Sequence, residues 1–141
     1  MKLIHPLKPI YDNKSKILIL GSIPSVISRE KNFYYANKTN RFWNVLEILF
    51  DTKLTTDTLK EKFLINNNIA LWDVIKSCEI KGSSDSSIKN VKVNNINKII
   101  KDSKINHIFC TGKLAYNLFN KYIKLNIPVS YLPSPSSANA K

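Results

Sequence analysis

The chain has 141 residues, with 22 basic and 10 acidic side chains and a formal net charge of +12, and this length suits one domain covering residues 1–141. Hydrophobic residues make up 43% of the sequence, which is enough to build a core, so global disorder is excluded. Two cysteines are too few for a disulfide scaffold or for a four-cysteine zinc or iron–sulfur site. No apolar run approaches the roughly 20 residues that cross a bilayer.

The N-terminal segment is interrupted by Pro6, Lys8 and Pro9 and does not have the pattern of a signal peptide. We therefore expect a cytoplasmic, monomeric protein that does not enter a membrane. Its excess positive charge predicts salt-dependent binding of nucleic acid, although part of the excess reflects the lysine usage of an AT-rich genome. Arg29 and Arg41 are the only arginines, and the planar guanidinium of Arg41, within an aromatic cluster, suits a phosphate or a carboxylate.

In chain order, four short apolar runs predict β-strands at residues 16–22, 68–74, 106–112 and 129–134. The first three are continuously apolar, which is typical of strands covered on both faces. Helical patterns lie between them, over residues 40–50, 55–65, 94–103 and 113–123. This alternation predicts an α/β fold, a three-layer α/β/α sandwich around a four-stranded parallel sheet.

The helix predicted over residues 40–50 shows an apolar stripe of four residues at helical spacing. The stripe consists of Phe42, Val45, Leu46 and Leu49. We expect all four side chains to face the core.

The ends of the predicted strands lead into polar loops at residues 21–25, 72–73, 111–112 and 132–140. In open α/β sheets, ligands bind beyond the carboxyl ends of the strands. Two of these loops are rich in proline and serine and can present N–H groups and hydroxyls to phosphate. The pattern therefore predicts a site for a phosphate-bearing ligand at this edge.

Three segments carry a family resemblance, namely GSIPS (21–25), NFYYANKTNRFW (32–43) and LPSPSSANA (132–140). With these motifs the chain resembles the uracil-DNA glycosylase superfamily over about residues 16–140, and it is most similar to the hypoxanthine-DNA (deoxyinosine) glycosylase branch. The resemblance implies hydrolysis of the bond between a deaminated base and deoxyribose, with DNA as the partner and without a metal or other cofactor. A uracil or mismatch-specific glycosylase, or a catalytically inactive DNA-binding member of the fold, remains an alternative.

The resemblance makes Asn40 the candidate catalytic residue. Many superfamily members position the attacking water with an acidic or amide residue in the first motif, where this chain has Ile23. The hypoxanthine branch instead places a functional Asn at the position of Asn40. Its carbonyl oxygen can hold a water, and it contributes by positioning rather than as a strong base. Alternatively, Asn40 caps the helix that begins at Arg41, and the two roles can coexist.

Base recognition is expected at Tyr35, Asp73 and Ser22. Tyr35 matches an aromatic residue on which the everted base stacks, an interaction worth ~1–3 kcal/mol. Asp73 stands where related enzymes carry a base-reading Asn and can accept the N1–H of hypoxanthine or the N3–H of uracil. The alternatives are that Tyr35 packs beneath its loop, as we expect of Phe33 and Tyr34, and that Asp73 caps a turn.

The last motif is expected to grip DNA phosphates, together with Arg41. The candidate residues in this motif are Ser134, Ser136, Ser137 and Asn139. Leu132 stands where some superfamily members have a catalytic histidine, and Ser137 stands where the hypoxanthine branch usually has proline. We also expect the chain to lack the C-terminal helix with which family members continue.

The remaining polar candidates are weaker. Asp85 lies in a Ser-rich loop that is typical of a solvated turn. His107 is expected to be structural, and His5 has no evident partner. Cys110 is expected to be a buried small residue, and no histidine or second cysteine lies near Cys78 to support a nucleophile or metal site.

Overall fold

A computed structural model describes residues 2–81 and 85–135. In chain order its elements are β1 (Lys2–Ile4), β2 (Ile17–Gly21), α1 (Val26–Lys31), α2 (Phe42–Phe50), α3 (Asp57–Asn66), β3 (Ile69–Asp73), β4 (Ile75–Glu79), a 3-10 turn (Asp85–Ser87), β5 (Lys89–Val93), α4 (Ile96–Lys101), β6 (His107–Thr111), α5 (Lys113–Tyr122) and β7 (Val129–Leu132). In the part of the chain that is described, no helix has the length and apolarity needed to span a membrane.

The predicted parallel sheet is confirmed, and its strand order is β3-β2-β6-β7. In the register of the sheet, Ile17 of β2 lies between Ile69 of β3 and His107 of β6. All three pairings in this sheet are parallel. The carboxyl ends of the four strands therefore meet at one edge.

Helices cover both faces of this sheet and make the three layers that the alternation predicts. On one face, Leu18 and Leu20 of β2 are fully buried against α4 and α5. On the other face, Ile69 and Leu71 of β3 pack against α2 and α3. Burial on both faces explains why these strands read as continuous apolar runs.

The prediction for the stripe on α2 is half wrong. Phe42 and Leu46 are buried as expected, but Val45 and Leu49 are 47% and 72% exposed. Trp43 is buried instead, and its indole N–H donates to the backbone oxygen of Tyr34 at 3.0 Å. The two bulky rings in the first turn fix which face is covered, so the last turn of the helix extends into solvent.

A second, antiparallel sheet with the order β1-β4-β5 was not predicted from the sequence. Its strands are short and carry several lysines, so they lack a clear apolar run. They cover a small cluster of buried residues, Ile75, Cys78 and Ile80. Ile23 packs against this cluster, which gives the apolar residue in the first motif a structural role.

Candidate active site

The site is built around Gly21, at the end of β2. A Cβ atom at this position would lie 2.5 Å from Oδ1 of Asp73 and 3.1 Å from the hydroxyl of Tyr35. The missing side chain therefore lets an acidic and an aromatic side chain approach the same strand end. Two of the predicted base-binding residues, Tyr35 and Asp73, are thus brought together.

Asp73, at the end of β3, is buried with 4% of its surface exposed. Its Oδ2 lies 2.7 Å from Nε2 of His5, whose side chain is 2% exposed. The N–H of Leu7 donates to Nδ1 of the same ring at 3.2 Å. Because Nδ1 accepts this bond, Nε2 carries the ring proton and donates to the carboxylate. The expectation that His5 lacks a partner is therefore wrong.

The backbone at Asp73 is held as firmly as its side chain. The buried Asn94 donates from Nδ2 to the carbonyl oxygens of Asp73 at 2.8 Å and Ile75 at 3.2 Å. The next peptide N–H, that of Val74, donates to the carbonyl of Gly21 at 2.8 Å. These bonds fix the backbone of Asp73 at the junction between the two sheets.

Tyr35 has a left-handed backbone, with φ of 51°, which is unusual and strained for an aromatic residue. Its ring stacks on Phe42 with the centroids 4.1 Å apart. Thr111 donates its own hydroxyl proton to the carbonyl of Leu20 at 3.3 Å, so the Tyr35 hydroxyl donates to Oγ1 of Thr111 at 3.4 Å. Burial, and then the negative charge of Asp73, raise the pKa of Tyr35 well above its usual value, so the phenol remains a neutral donor.

The structure begins α2 at Phe42 with Arg41 as its N-cap, so the expected N-cap position of Asn40 is wrong by one residue. Asn40 still contacts the first residue of the helix. Its Oδ1 accepts the N–H of Phe42 at 2.9 Å. A carbonyl oxygen has two lone pairs, so this bond leaves one acceptor direction on Oδ1. The contact with Phe42 and the holding of a water are therefore compatible at Asn40.

Arg41 ties the aromatic segment to the loop that follows β7. Its backbone N–H donates to the carbonyl of Pro135 at 2.9 Å, and its side chain is exposed. Ser134 of the same loop packs close to Gly112, whose absent Cβ would lie 3.4 Å from that of the serine. Arg41 and Ser134 are thus at the same edge as Asp73 and Tyr35.

Four of the predicted residues fall wholly or partly outside the described part of the chain. They are Ser136, Ser137 and Asn139 of the last motif and, for its side chain, Asp85. Ser22 is described, is partly buried, and directly follows β2, where its carbonyl accepts the N–H of Ile75 at 3.0 Å.

The other candidates have structural contacts, and of these Tyr34 lies beside the site, with its ring centroid 6.3 Å from that of His5. His107 begins β6 at the opposite edge, where its Nε2 lies 2.8 Å from Oγ of Ser130. Tyr34 is in the core and donates its hydroxyl to the carbonyl of Lys8 at 2.7 Å. Cys78 and Cys110 are free and buried, and burial raises the pKa of both thiols, that of Cys110 to about 12. Across residues 2–81 and 85–135, no group of three or more His, Cys, Asp or Glu side chains could hold a metal ion.

The fold is that of a known superfamily. Residues 9–141 match the family described as the Uracil DNA glycosylase superfamily, and the chain belongs to it. The family resemblance inferred from the motifs is therefore confirmed.

Two curated relatives, both called "Hypoxanthine DNA glycosylase", match the chain. The protein from Methanosarcina barkeri is 35% identical over 96 residues, which cover 67% of this chain and 60% of that relative. The protein from Methanosarcina acetivorans is 32% identical over 142 residues, which cover 94% of this chain and 85% of the relative. A solution NMR structure of a candidate uracil DNA glycosylase from Methanosarcina acetivorans superposes with a TM-score of 0.86 at 32% identity, covering 99% of this chain and 88% of that one.

Proposed function

We propose that this protein is a DNA glycosylase that hydrolyses the N-glycosidic bond of deoxyinosine in DNA, releasing hypoxanthine and leaving an abasic site. The observation that carries the proposal is the buried Asp73 carboxylate, beside the Tyr35 hydroxyl at the strand edge. The relatives called "Hypoxanthine DNA glycosylase" support the choice of substrate.

The Asp73 carboxylate can distinguish a deaminated base from its parent. An ionised carboxylate only accepts hydrogen bonds, and N1 of hypoxanthine carries a proton whereas N1 of adenine carries a lone pair. Hypoxanthine therefore gains a hydrogen bond where adenine meets repulsion. Uracil and cytosine differ in the same way at N3, so uracil is the natural alternative substrate.

The target nucleotide must leave the duplex before it can reach this edge. Stacking on the Tyr35–Phe42 pair stabilises the everted base, and Ser22 contacts it at the end of β2. Arg41, Ser134, Ser136, Ser137 and Asn139 bind the DNA and keep it in register through phosphate contacts. We infer that the protein acts as a monomer in the cytoplasm.

Asn40 contributes to the chemical step by holding the attacking water. The water oxygen bonds to C1′ while the C1′–N9 bond breaks, the electron pair of that bond leaves with the base, and the water proton passes to solvent. Asn40 does not take the proton, since an amide is not a strong base. It acts by orientation and by directing its dipole at the cationic sugar.

The test uses an end-labelled duplex that contains one deoxyinosine. We expect strand breaks at the inosine only after alkali, because an abasic site forms and none of the residues proposed for the site carries an amine that could cleave the strand. If alkali produces no breaks, the activity is rejected. Parallel duplexes with uracil or xanthine opposite each normal base identify the alternative substrates. Salt-dependent DNA binding without turnover on any of these duplexes identifies an inactive DNA-binding protein.

A further inference from the structure

We propose that His5 is a positioning residue for base recognition, which holds the Asp73 carboxylate so that Oδ2 is occupied and Oδ1 is presented to the base. The inference rests on the proposed role of Asp73 in reading deaminated bases. His5 lies outside residues 9–141, the part that matches the superfamily, so the family match does not account for it.

Only one ring nitrogen of His5 is left to donate a hydrogen bond. Its Nδ1 accepts the N–H of Leu7, which leaves Nε2–H as its donor toward Asp73. With both side chains buried, water cannot readily replace this bond. A short hydrogen bond to a carboxylate in such surroundings is stronger than one between neutral groups.

The two carboxylate oxygens of Asp73 have different neighbours. Oδ2 faces His5, while Oδ1 lies next to Gly21, where it approaches the position of an absent Cβ. The terminal torsion of an aspartate has broad, roughly two-fold preferences, so the side chain alone does not fix which way the carboxylate plane turns. The bond from His5 supplies that orientation.

The small sheet brings His5 to this position. The residue directly follows β1, which pairs with β4, and its backbone N–H donates to the carbonyl of Lys76 at 2.8 Å. β4 itself begins two residues after Asp73. The donor His5 and the acceptor Asp73 are therefore both held by the backbone of residues 73–76.

A double-mutant cycle tests whether His5 acts through Asp73. The excision rate of deoxyinosine is measured with enzyme in excess for wild type, His5→Ala, Asp73→Asn and the double variant. We expect His5→Ala to slow excision about tenfold in the wild-type background and to have no further effect in the Asp73→Asn background. Losses that multiply would overturn the inference, because a merely structural histidine would act in both backgrounds.

Two further variants separate positioning from folding. Gln at position 5 can place an amide N–H where Nε2 lies, so His5→Gln should recover most of the rate. His107→Gln also loses a histidine hydrogen bond, but at the opposite sheet edge, and should keep the wild-type rate. A His5→Gln variant that is folded, as judged by thermal unfolding, but as slow as His5→Ala would contradict the positioning role.

The same double-mutant cycle can be measured by DNA binding, without turnover. A fluorine at the 2′ position withdraws electrons from the sugar and blocks cleavage, so Kd values can be measured for such a duplex with inosine and for its adenosine counterpart. His5→Ala should reduce the preference for inosine only when Asp73 is present, and a reduction that persists in the Asp73→Asn background would overturn the inference. Wild-type protein that leaves natural deoxyinosine intact would refute the proposed function, which is a separate result.

Discussion

The two sheets of the molecule contribute to the site in different ways. The parallel sheet pairs strands that are far apart in sequence, and helices cover both of its faces. Its strand ends place Gly21, Asp73 and Thr111 at one edge. The antiparallel sheet is small and lysine-bearing, and among the described residues its buried cluster has three members. One sheet determines where the site is, and the other supplies contacts that adjust one side chain within it.

Two side chains that contact Asp73 come from residues directly after strands of the small antiparallel sheet. His5 directly follows β1, and Asn94 directly follows β5. Both then bond to Asp73, one at its carboxylate and the other at its carbonyl. A minor sheet with little core of its own can therefore still control the geometry of a site that lies on the larger sheet.

The largest expected effect is at Asn40, which lies just before α2, a helix that packs on the parallel sheet. Asn40→Ala should slow excision of deoxyinosine by about 1,000-fold, because the water loses its holder and the developing charge loses a dipole. It should also cost ~1 kcal/mol of stability through the lost contact with Phe42. Single-turnover rates and thermal unfolding measure the two effects separately.

The control at this position is Asn40→Ser. A serine hydroxyl can also accept the N–H of Phe42 but has no carboxamide, so this variant should keep the stability of wild type and lose the rate. If Asn40→Ser retains nearly full activity, the residue only accepts the N–H of Phe42 at the start of the helix, and the proposed catalytic role is wrong.

Features of this molecule that leave a local sequence pattern could be predicted, whereas contacts between residues far apart in the sequence could not. The parallel sheet could be predicted because strands such as Ile17–Gly21 are buried on both faces and leave a local apolar signature. The motifs also located Tyr35 and Asp73 at the shared edge. The bond between His5 and Asp73 spans 68 positions, and nothing near either residue indicates it, because β1 is three residues long and carries no strand signal.

An intermediate effect is expected from Gly21→Ala, which tests whether the two sheets meet at the carboxylate. The new methyl group would collide with Oδ1 of Asp73 and displace it from His5. We expect excision to slow on the order of 100-fold, since small misplacements of reacting groups are costly.

Stability measurements identify the cause of that loss. In an Asp73→Ala background the colliding oxygen is absent, so Gly21→Ala should destabilise the protein less than it does in wild type. Equal destabilisation in both backgrounds would place the collision elsewhere, for example at the Tyr35 hydroxyl.

The smallest expected effect compares the two sheets directly through their cysteines. Cys110 lies in β6 within a cluster of twelve buried residues, and Cys78 lies in β4 within the cluster of three. Burial raises the pKa of Cys110 to about 12, and because a thiol is protonated below its pKa, neither native cysteine should react rapidly with a thiol reagent at pH 8. Reaction then requires local opening of the sheet that holds the cysteine.

Single-thiol variants measure the two openings separately. Cys110→Ala retains only Cys78, and Cys78→Ala retains only Cys110; we expect the first protein to be labelled about tenfold faster, because fewer buried contacts must break. Equal rates would mean that the two sheets open as one cooperative unit. Adding His5→Ala sharpens the comparison, since removing the bond that ties β1 to Asp73 should accelerate labelling of Cys78 and leave Cys110 unchanged.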